Sequence, residues 1–469
     1  MTDLTAVLQQ TFGFTSFRPG QRELIEAVLA GRDALGVLPT GSGKTLCYQL
    51  PGRLLPGTMV VVEPLLALMD DQVARLQTSG EKRVVALTGQ LSQADFATVM
   101  GALDQYRFVF VAPETLTRPD VLRRLTQLTI SALVVDEAHC ISQWGPDFRP
   151  AYLKLGAVVA QLQPRAVLAL TATAPTNVQA DIEAGLHLRQ PVRSIASVDR
   201  PNVFLGVEAV ADQPAKLARL TAVVQTVAAP TIVYFDRKAK AEQAAAHLAS
   251  QGIAAAYYHA GLGAHDRDLI QRRFMADALQ VICATSAFGM GIDKPDVRLV
   301  VYMHVPESLE AYSQGIGRAG RDGLPSASLV LVAPGDYQRA EQFAASLPDQ
   351  RTIATIYAHP EAFTDFADPQ ISLVEAYIHA GFTQAQTTAQ LRARLSEKAA
   401  SFDAMGALLN ASGCRRAVLL QHFDSPVPAH TAHCCGELTA DILARLAPGQ
   451  AHEAATPADW RGVFAAIFK

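Results

Sequence analysis

From the N-terminus to about residue 335, short apolar runs alternate with stretches of helical period. The runs at 34–38, 59–62, 107–111 and 131–135 carry few polar residues, as strands covered on both faces of a sheet do. Helical period marks 23–30 and 66–76. After Pro230 the alternation restarts, with strands expected at 231–235, 254–259, 280–284, 298–304 and 328–333 and helices at 238–250, 266–276 and 309–314. A β–α alternation with short turns predicts a parallel sheet with helices on both faces, and its restart predicts a second one. From 336 to 413 the strand signals stop and helical ones remain, as at 384–399.

The polar positions that interrupt this pattern carry the chemistry. The run at 34–38 breaks into Thr40-Gly41-Ser42-Gly43-Lys44-Thr45, and helical period begins at once. Glycines let several N–H groups point into one concavity at the positive end of a helix. Lys44 adds a point charge for the β- and γ-phosphates, and the Thr45 hydroxyl suits Mg²⁺. Leu38 stands where the strict phosphate-loop pattern has a glycine, and taken alone the stretch also reads as a flexible turn. The run at 131–135 ends in Asp136-Glu137-Ala138-His139. Beside a phosphate loop, Asp136 can hold Mg²⁺ through water while Glu137 orients and deprotonates the attacking water. Upstream, Phe14, Arg18 and Gln21 can form an adenine clamp, with the amide on the N6/N7 edge and an aromatic or guanidinium on the face. A helix pair joined by a polar turn reads those residues equally well.

Composition adds limits. A chain of 469 residues, 49% hydrophobic and 18% charged, has room for several globular domains. No apolar stretch reaches the length of a membrane span and Met1–Thr5 lacks a signal peptide's pattern, so a cytoplasmic protein with no membrane partner is expected. Cys47, Cys140 and Cys283 lie beside nucleotide-site motifs, where reduced thiols are expected. The net charge of −4 announces no nucleic-acid partner, yet a local basic groove is compatible with an acidic whole.

Phe17-Arg18-Pro19-Gly20-Gln21, the phosphate loop, Asp136–His139 and the following C-I-S-Q-W-G-P-D-F-R-P resemble the RecQ family of superfamily 2 DNA helicases. Thr171-Ala172-Thr173-Ala174, Asp199-Arg200-Pro201-Asn202, F-G-M-G-I-D-K-P at 288–295 and Q-G-I-G-R-A-G-R-D-G at 314–323 follow in the family's order. The resemblance covers about residues 12 to 335. It implies an α/β chain with two tandem RecA-like parallel-sheet domains, at 1–206 and 207–336, and a small, mainly helical C-terminal region at 337–469. It implies an ATP-dependent DNA helicase moving 3′ to 5′ on single-stranded DNA, with tailed or forked duplex as substrate, in recombination and repair. The implied catalytic set is Lys44, Asp136, Glu137, Gln143, Arg318 and Arg321, the last two as arginine fingers at the start of a helix. ATP falls to Phe14, Arg18, Gln21, Thr40, Gly41, Ser42, Gly43, Lys44, Thr45 and Asp293, and Mg²⁺ to Thr45 and Asp136. His139, Trp144, Phe148 and Arg149 would couple DNA to the ATP site, the aromatic faces taking unstacked bases and the arginine a phosphate.

Three departures stand out. Glu63 replaces a serine that the family places near DNA, and puts a negative charge where phosphate contact is expected. Pro146 replaces a histidine, and Gly315 a glutamate. Cys414–Phe423 resembles the start of the family's zinc-binding element, which continues with three cysteines two residues apart; this chain reads His430-Thr431-Ala432-His433-Cys434-Cys435 instead. Cys and His both suit Zn²⁺, so a zinc site drawn from Cys414, His430, His433, Cys434 and Cys435 and a metal-free remnant both stay open. The stretch after Gly436 is short for the winged-helix and further DNA-binding domains of many relatives, which are expected to be absent. That expectation keeps a DNA-stimulated translocase or annealing factor with weak unwinding as the alternative. An RNA-directed helicase is a further one, against which the aromatic-rich loop argues.

Overall fold

The computed structural model describes residues 3–142, 150–288, 294–344, 347–363, 368–379 and 381–447. The four apolar runs of the first half, with three further segments the pattern does not mark, become a seven-stranded sheet: β1 (Ala34–Val37), β2 (Thr58–Val62), β3 (Val84–Leu87), β4 (Phe108–Val111), β5 (Ile130–Val135), β6 (Val167–Thr171) and β7 (Val192–Ile195). Their order is β3-β4-β2-β5-β6-β1-β7 and every pairing is parallel. Alternate residues of a strand point to opposite faces. Leu35, Val37, Val60 and Val62 accordingly join one core layer, and Ala34, Met59 and Val61 the other. Each buried Val or Leu contributes about 1.5–3 kcal/mol, so two covered faces stabilise this sheet far more than an exposed one would be.

The second sheet has the same plan: β8 (Val203–Ala209), β9 (Thr231–Tyr234), β10 (Ala255–Tyr258), β11 (Val281–Ala284), β12 (Leu299–Tyr302), β13 (Ser326–Val332) and the two-residue β14 (Cys435–Gly436). Their order is β10-β11-β9-β12-β13-β8-β14, again parallel throughout. The expected boundary at 206/207 falls inside β8, all of which pairs with β13, so the second sheet starts at Val203. β8 has no clear apolar run because Gly206 and Glu208 break it, and β7 is half-exposed with Arg193 and Ser194 on its course.

The region beyond 337 is not one unit. Ile353, Ile356, Val374, Tyr377 and Leu391 form a small core of their own. The long helix Gln384–Leu409, opened by a capping box of Thr383 and Gln386, then runs into the core of the second sheet through Phe402, Met405 and Leu408. β14 adds to the edge of that sheet, and helix Ala440–Leu446 packs Ile442, Leu443 and Leu446 against its other face. Long-range packing therefore assigns much of the C-terminal region to the second domain.

Candidate active site

The phosphate loop lies at the C-terminal end of β1 and leads into helix Leu46–Leu54. Gly41 and Gly43 hold φ of +84° and +78°, the left-handed region that a side chain disfavours. Gln21 braces this loop: its Nε2 donates to Ser42 O at 2.8 Å and Gly43 O at 3.1 Å, while its Oε1 accepts from Arg18 N at 2.9 Å. Arg18 Nη1 donates to Gly41 O. Both amide hydrogens of Gln21 are thus spent on the loop, where an adenine reader was expected. Phe14 is exposed.

Asp136 and Glu137 follow β5, with β6 between that strand and β1. Glu137 adopts φ +47°, a strained value for a residue with a side chain, and its N–H donates to Asp136 Oδ1 at 2.9 Å. Burial and the neighbouring Glu137 push the Asp136 carboxyl up to about 6, against the pull of Lys44. Burial also works to raise Glu137, but Lys44, the His139 hydrogen bond and Arg318 outweigh it and hold that carboxylate down at about 2. The two carboxyls are thus driven apart, Glu137 becoming the more acidic of the pair. His139 Nδ1 lies 2.9 Å from Thr171 Oγ1 and 3.3 Å from Glu137 Oε2, so it joins the carboxylate to the end of β6. Gln143, Trp144, Phe148, Arg149 and Asp293 lie outside the described residues.

Arg318 and Arg321 come from the second domain, in the turn after helix Leu309–Ile316 rather than at the start of a helix. A Cβ on Gly41 would meet the Arg321 side chain at 3.3 Å, and one on Gly317 would meet Thr40 Cβ at 3.1 Å. The arginine turn therefore lies directly against the phosphate loop. Arg318 is buried and close enough to Glu137 to lower its pKa. Between the domains runs a cleft of about 630 Å³, lined by Glu137 and His139 on one side and by Tyr234, His304, Gln314 and Arg318 on the other. Gly315 lines it too, and the structure explains this glycine: a Cβ there would fall 1.8 Å from the Tyr302 hydroxyl.

Glu63 departs from expectation. It is 1% exposed at the end of β2, and burial, reinforced by Asp136 and Glu137, raises its carboxyl well above the usual range. It lies in the core beside Asp136 and Glu137 rather than on an open surface.

Some residues with evident roles carried no legible role in the sequence. Arg200 donates to the carbonyls of Gly317 (3.0 Å), Ala319 (2.7 Å) and Gly320 (2.9 Å), and Asn202 Nδ2 to those of Gly320 (2.8 Å) and Leu324 (2.9 Å). The D-R-P-N motif is thus the clamp of the arginine turn; the family resemblance picks it out, but its partner lies far along the chain.

The C-terminal cysteines come together. One ligand atom each of Cys414, His430, Cys434 and Cys435 lies within 4.8 Å of the others, and His433 is not among them. The Cys414 Sγ is 3.5 Å from Cys434 Sγ and 3.8 Å from Cys435 Sγ. Thiolates bound tetrahedrally to zinc at ~2.3 Å stand about 3.8 Å apart, so this donor set fits that ion. Burial tends to raise the Cys414 thiol, yet hydrogen bonds led by His430 bring it down to about 7; Cys434 is pushed up by burial, to about 11.

Two family models match: DEAD/DEAH box helicase over residues 18–181 and helicase conserved C-terminal domain over residues 215–323. The chain is 40% identical to a Bacillus subtilis protein named probable ATP-dependent DNA helicase RecS, across 100% of this chain and 98% of that one. It is 38% identical to the ATP-dependent DNA helicase RecQ of Haemophilus influenzae, across 78% of this chain but 59% of that one. Among solved structures, the DEAD-box helicase Mss116 bound to single-stranded RNA aligns over 91% of this chain and 96% of its own, with a TM-score of 0.60 at 15% identity. The Mycobacterium smegmatis helicase Lhr bound to single-stranded DNA aligns over 92% and 63%, with a TM-score of 0.56 at 20% identity. At such identities these structures speak for the two-sheet fold alone.

Proposed function

The chain belongs to the RecQ family of ATP-dependent DNA helicases, and on that premise we propose that it hydrolyses ATP in the cleft between its two sheets to move 3′ to 5′ along single-stranded DNA and part tailed or forked duplex. The observation that carries this reading is that the turn bearing Arg318 and Arg321 reaches from the second domain to the phosphate loop and to Glu137.

In this reading the loop N–H groups and Lys44 bind the β- and γ-phosphates, and Thr45 with Asp136 would hold Mg²⁺, which offsets charge on their oxygens. Glu137, ionised and oriented by His139, positions the attacking water and takes its proton. Arg318 and Arg321 meet the charge that develops on the γ-phosphoryl group. His139 carries the state of Glu137 to Thr171. Zn²⁺ would be held by Cys414, His430, Cys434 and Cys435, where it supplies a cross-link between distant segments. A role in recombination and repair rests on the family. Among the described residues no helix is long and apolar enough to cross a membrane.

Strand separation on a 3′-tailed duplex, a 5′-tailed duplex, a fork and a 3′-RNA-tailed duplex tests the reading. ATP-dependent opening of the 3′-tailed and forked DNA alone is expected. ATPase stimulated by DNA without opening of any substrate would replace it with the translocase or annealing reading. Equal opening of the RNA-tailed substrate would remove the DNA specificity.

A further inference from the structure

The arginine turn is not held by its own helix alone. Its carbonyls at Gly317, Ala319 and Gly320 are taken by Arg200, and those at Gly320 and Leu324 by Asn202. The segment that bears these two side chains is in turn held by a residue more than two hundred positions away. Arg416, 4% exposed, donates from Nη1 to the Asp199 carboxylate and to Arg200 O at 2.9 Å, and from Nη2 to Val203 O. Its remaining donors go to the C-terminal cluster: Nε to Cys434 Sγ at 3.2 Å and Nη2 to Cys434 O at 3.3 Å. A guanidinium has five N–H donors, and here all five have acceptors. Leu205 N also donates to Cys434 O at 3.1 Å, so β8 and Cys434 share one frame.

A continuous path therefore runs from the cysteine cluster through Arg416 to Asp199-Arg200, and through the Arg200 guanidinium to the turn that carries Arg318 and Arg321. A buried cation in such a path is fixed by its acceptors, and displacing one of them leaves a desolvated donor, which is costly enough to move the group. Cys434 is the acceptor that belongs to the cluster: bound to a metal it would be a thiolate and would accept from Arg416 in a charge-assisted hydrogen bond, stronger than a thiol would accept. We propose that Arg416 is a positioning residue for the arginine turn, and that metal filling of the Cys414–His430–Cys434–Cys435 cluster tunes ATP hydrolysis through it. This rests on the reading of Arg318 and Arg321 as the groups that meet the γ-phosphate.

The test uses the full chain. Arg416→Gln keeps the volume and removes the charge, Arg416→Lys keeps the charge and loses the fork, and Asp199→Asn breaks the same link from the other end. Metal content, melting temperature, single-stranded DNA affinity, and binding of AMP-PNP and of ADP with aluminium fluoride are measured beside the ATPase. A displacement of about 1 Å in a catalytic group costs on the order of a hundredfold. The expected result is a fall in kcat of that order at unchanged KM for ATP, with AMP-PNP binding retained and the transition-state analogue bound more weakly. Stripping zinc from the wild type should reproduce that loss, and stripping it from Arg416→Gln should add nothing. Wild-type kcat in all three variants would overturn the proposal. So would a loss that adds fully to that of zinc removal, or one that melting temperature or DNA affinity accounts for. If Arg416→Gln does not fold, Arg416→Lys and Asp199→Asn decide by the same readouts. Arg318→Ala separates the premise: full activity there removes the arginine-finger reading itself, whatever Arg416 does.

Discussion

The two halves of the proposed nucleotide site are held by opposite means. On the first domain, the loop hangs between β1 and the helix that follows it, and its outside brace, Gln21, comes from the preceding helix. The carboxylates stand at the end of β5, which shares the sheet with β1 across the intervening β6. On the second domain, the arginine turn is held from outside: Arg200 and Asn202 reach it from before β8, and Arg416 holds them from the far end of the chain. The first arrangement resists perturbation because its parts are close in sequence or fixed in one sheet. The second depends on the packing of distant segments, which makes it the half open to adjustment.

Breaking each half should show the contrast. Lys44→Ala is expected to lower DNA-stimulated ATPase by on the order of 10³ or more while DNA binding, read by fluorescence anisotropy, persists; substantial turnover would remove the proposed site. Arg200→Ala leaves every group of the first half in place and frees the turn, so kcat should fall by roughly ten- to a hundredfold with KM for ATP little changed. Were KM to rise instead with kcat intact, the clamp would serve binding rather than the chemical step.

Gln21→Ala perturbs the sturdier half more gently. It removes two neutral hydrogen bonds to the loop, each worth about 1 kcal/mol, and should lower the use of ATP and GTP in parallel by about fivefold or more. Relaxed discrimination between the two nucleotides would instead restore the adenine-reading role.

The smallest effect concerns the long C-terminal helix against the first domain. Burial, then the nearby Asp181, raises the Glu397 carboxyl to about 7. A carboxyl raised in the folded state favours the protonated form, so its contribution to stability is full below about 4.3, its unfolded value, and is lost as pH rises through 7. Glu397→Gln should therefore raise the melting temperature slightly, by about 1 °C, at pH 8 and not at pH 5. An equal shift at both pH values would mean that the group does not titrate there.

The apolar runs of β1, β2, β5 and β9 were legible because burial on both faces leaves a continuous hydrophobic signature. The phosphate loop and Asp136–Glu137 were legible because their chemistry requires particular residue types within a few positions of a strand end. β7 and β8 were not, since an edge strand and a glycine-broken one carry weaker patterns. What only the tertiary structure decided is where the polar groups spend their hydrogen bonds and charges. Gln21 has the chemistry of a base reader, yet both its donors point to loop carbonyls. Glu63 reads as a surface acid in the sequence, yet the fold buries it, and burial with the nearby Asp136 and Glu137 raises its carboxyl. His430 joins Cys414, Cys434 and Cys435 while His433, with the same chemistry three residues on, is not among them. Arg416 reads as one of two adjacent arginines until packing places its five donors among Asp199, Arg200, Val203 and Cys434. Residue type determines what a side chain is able to do; the desolvation and the partners that select among those abilities come from segments far away in the chain.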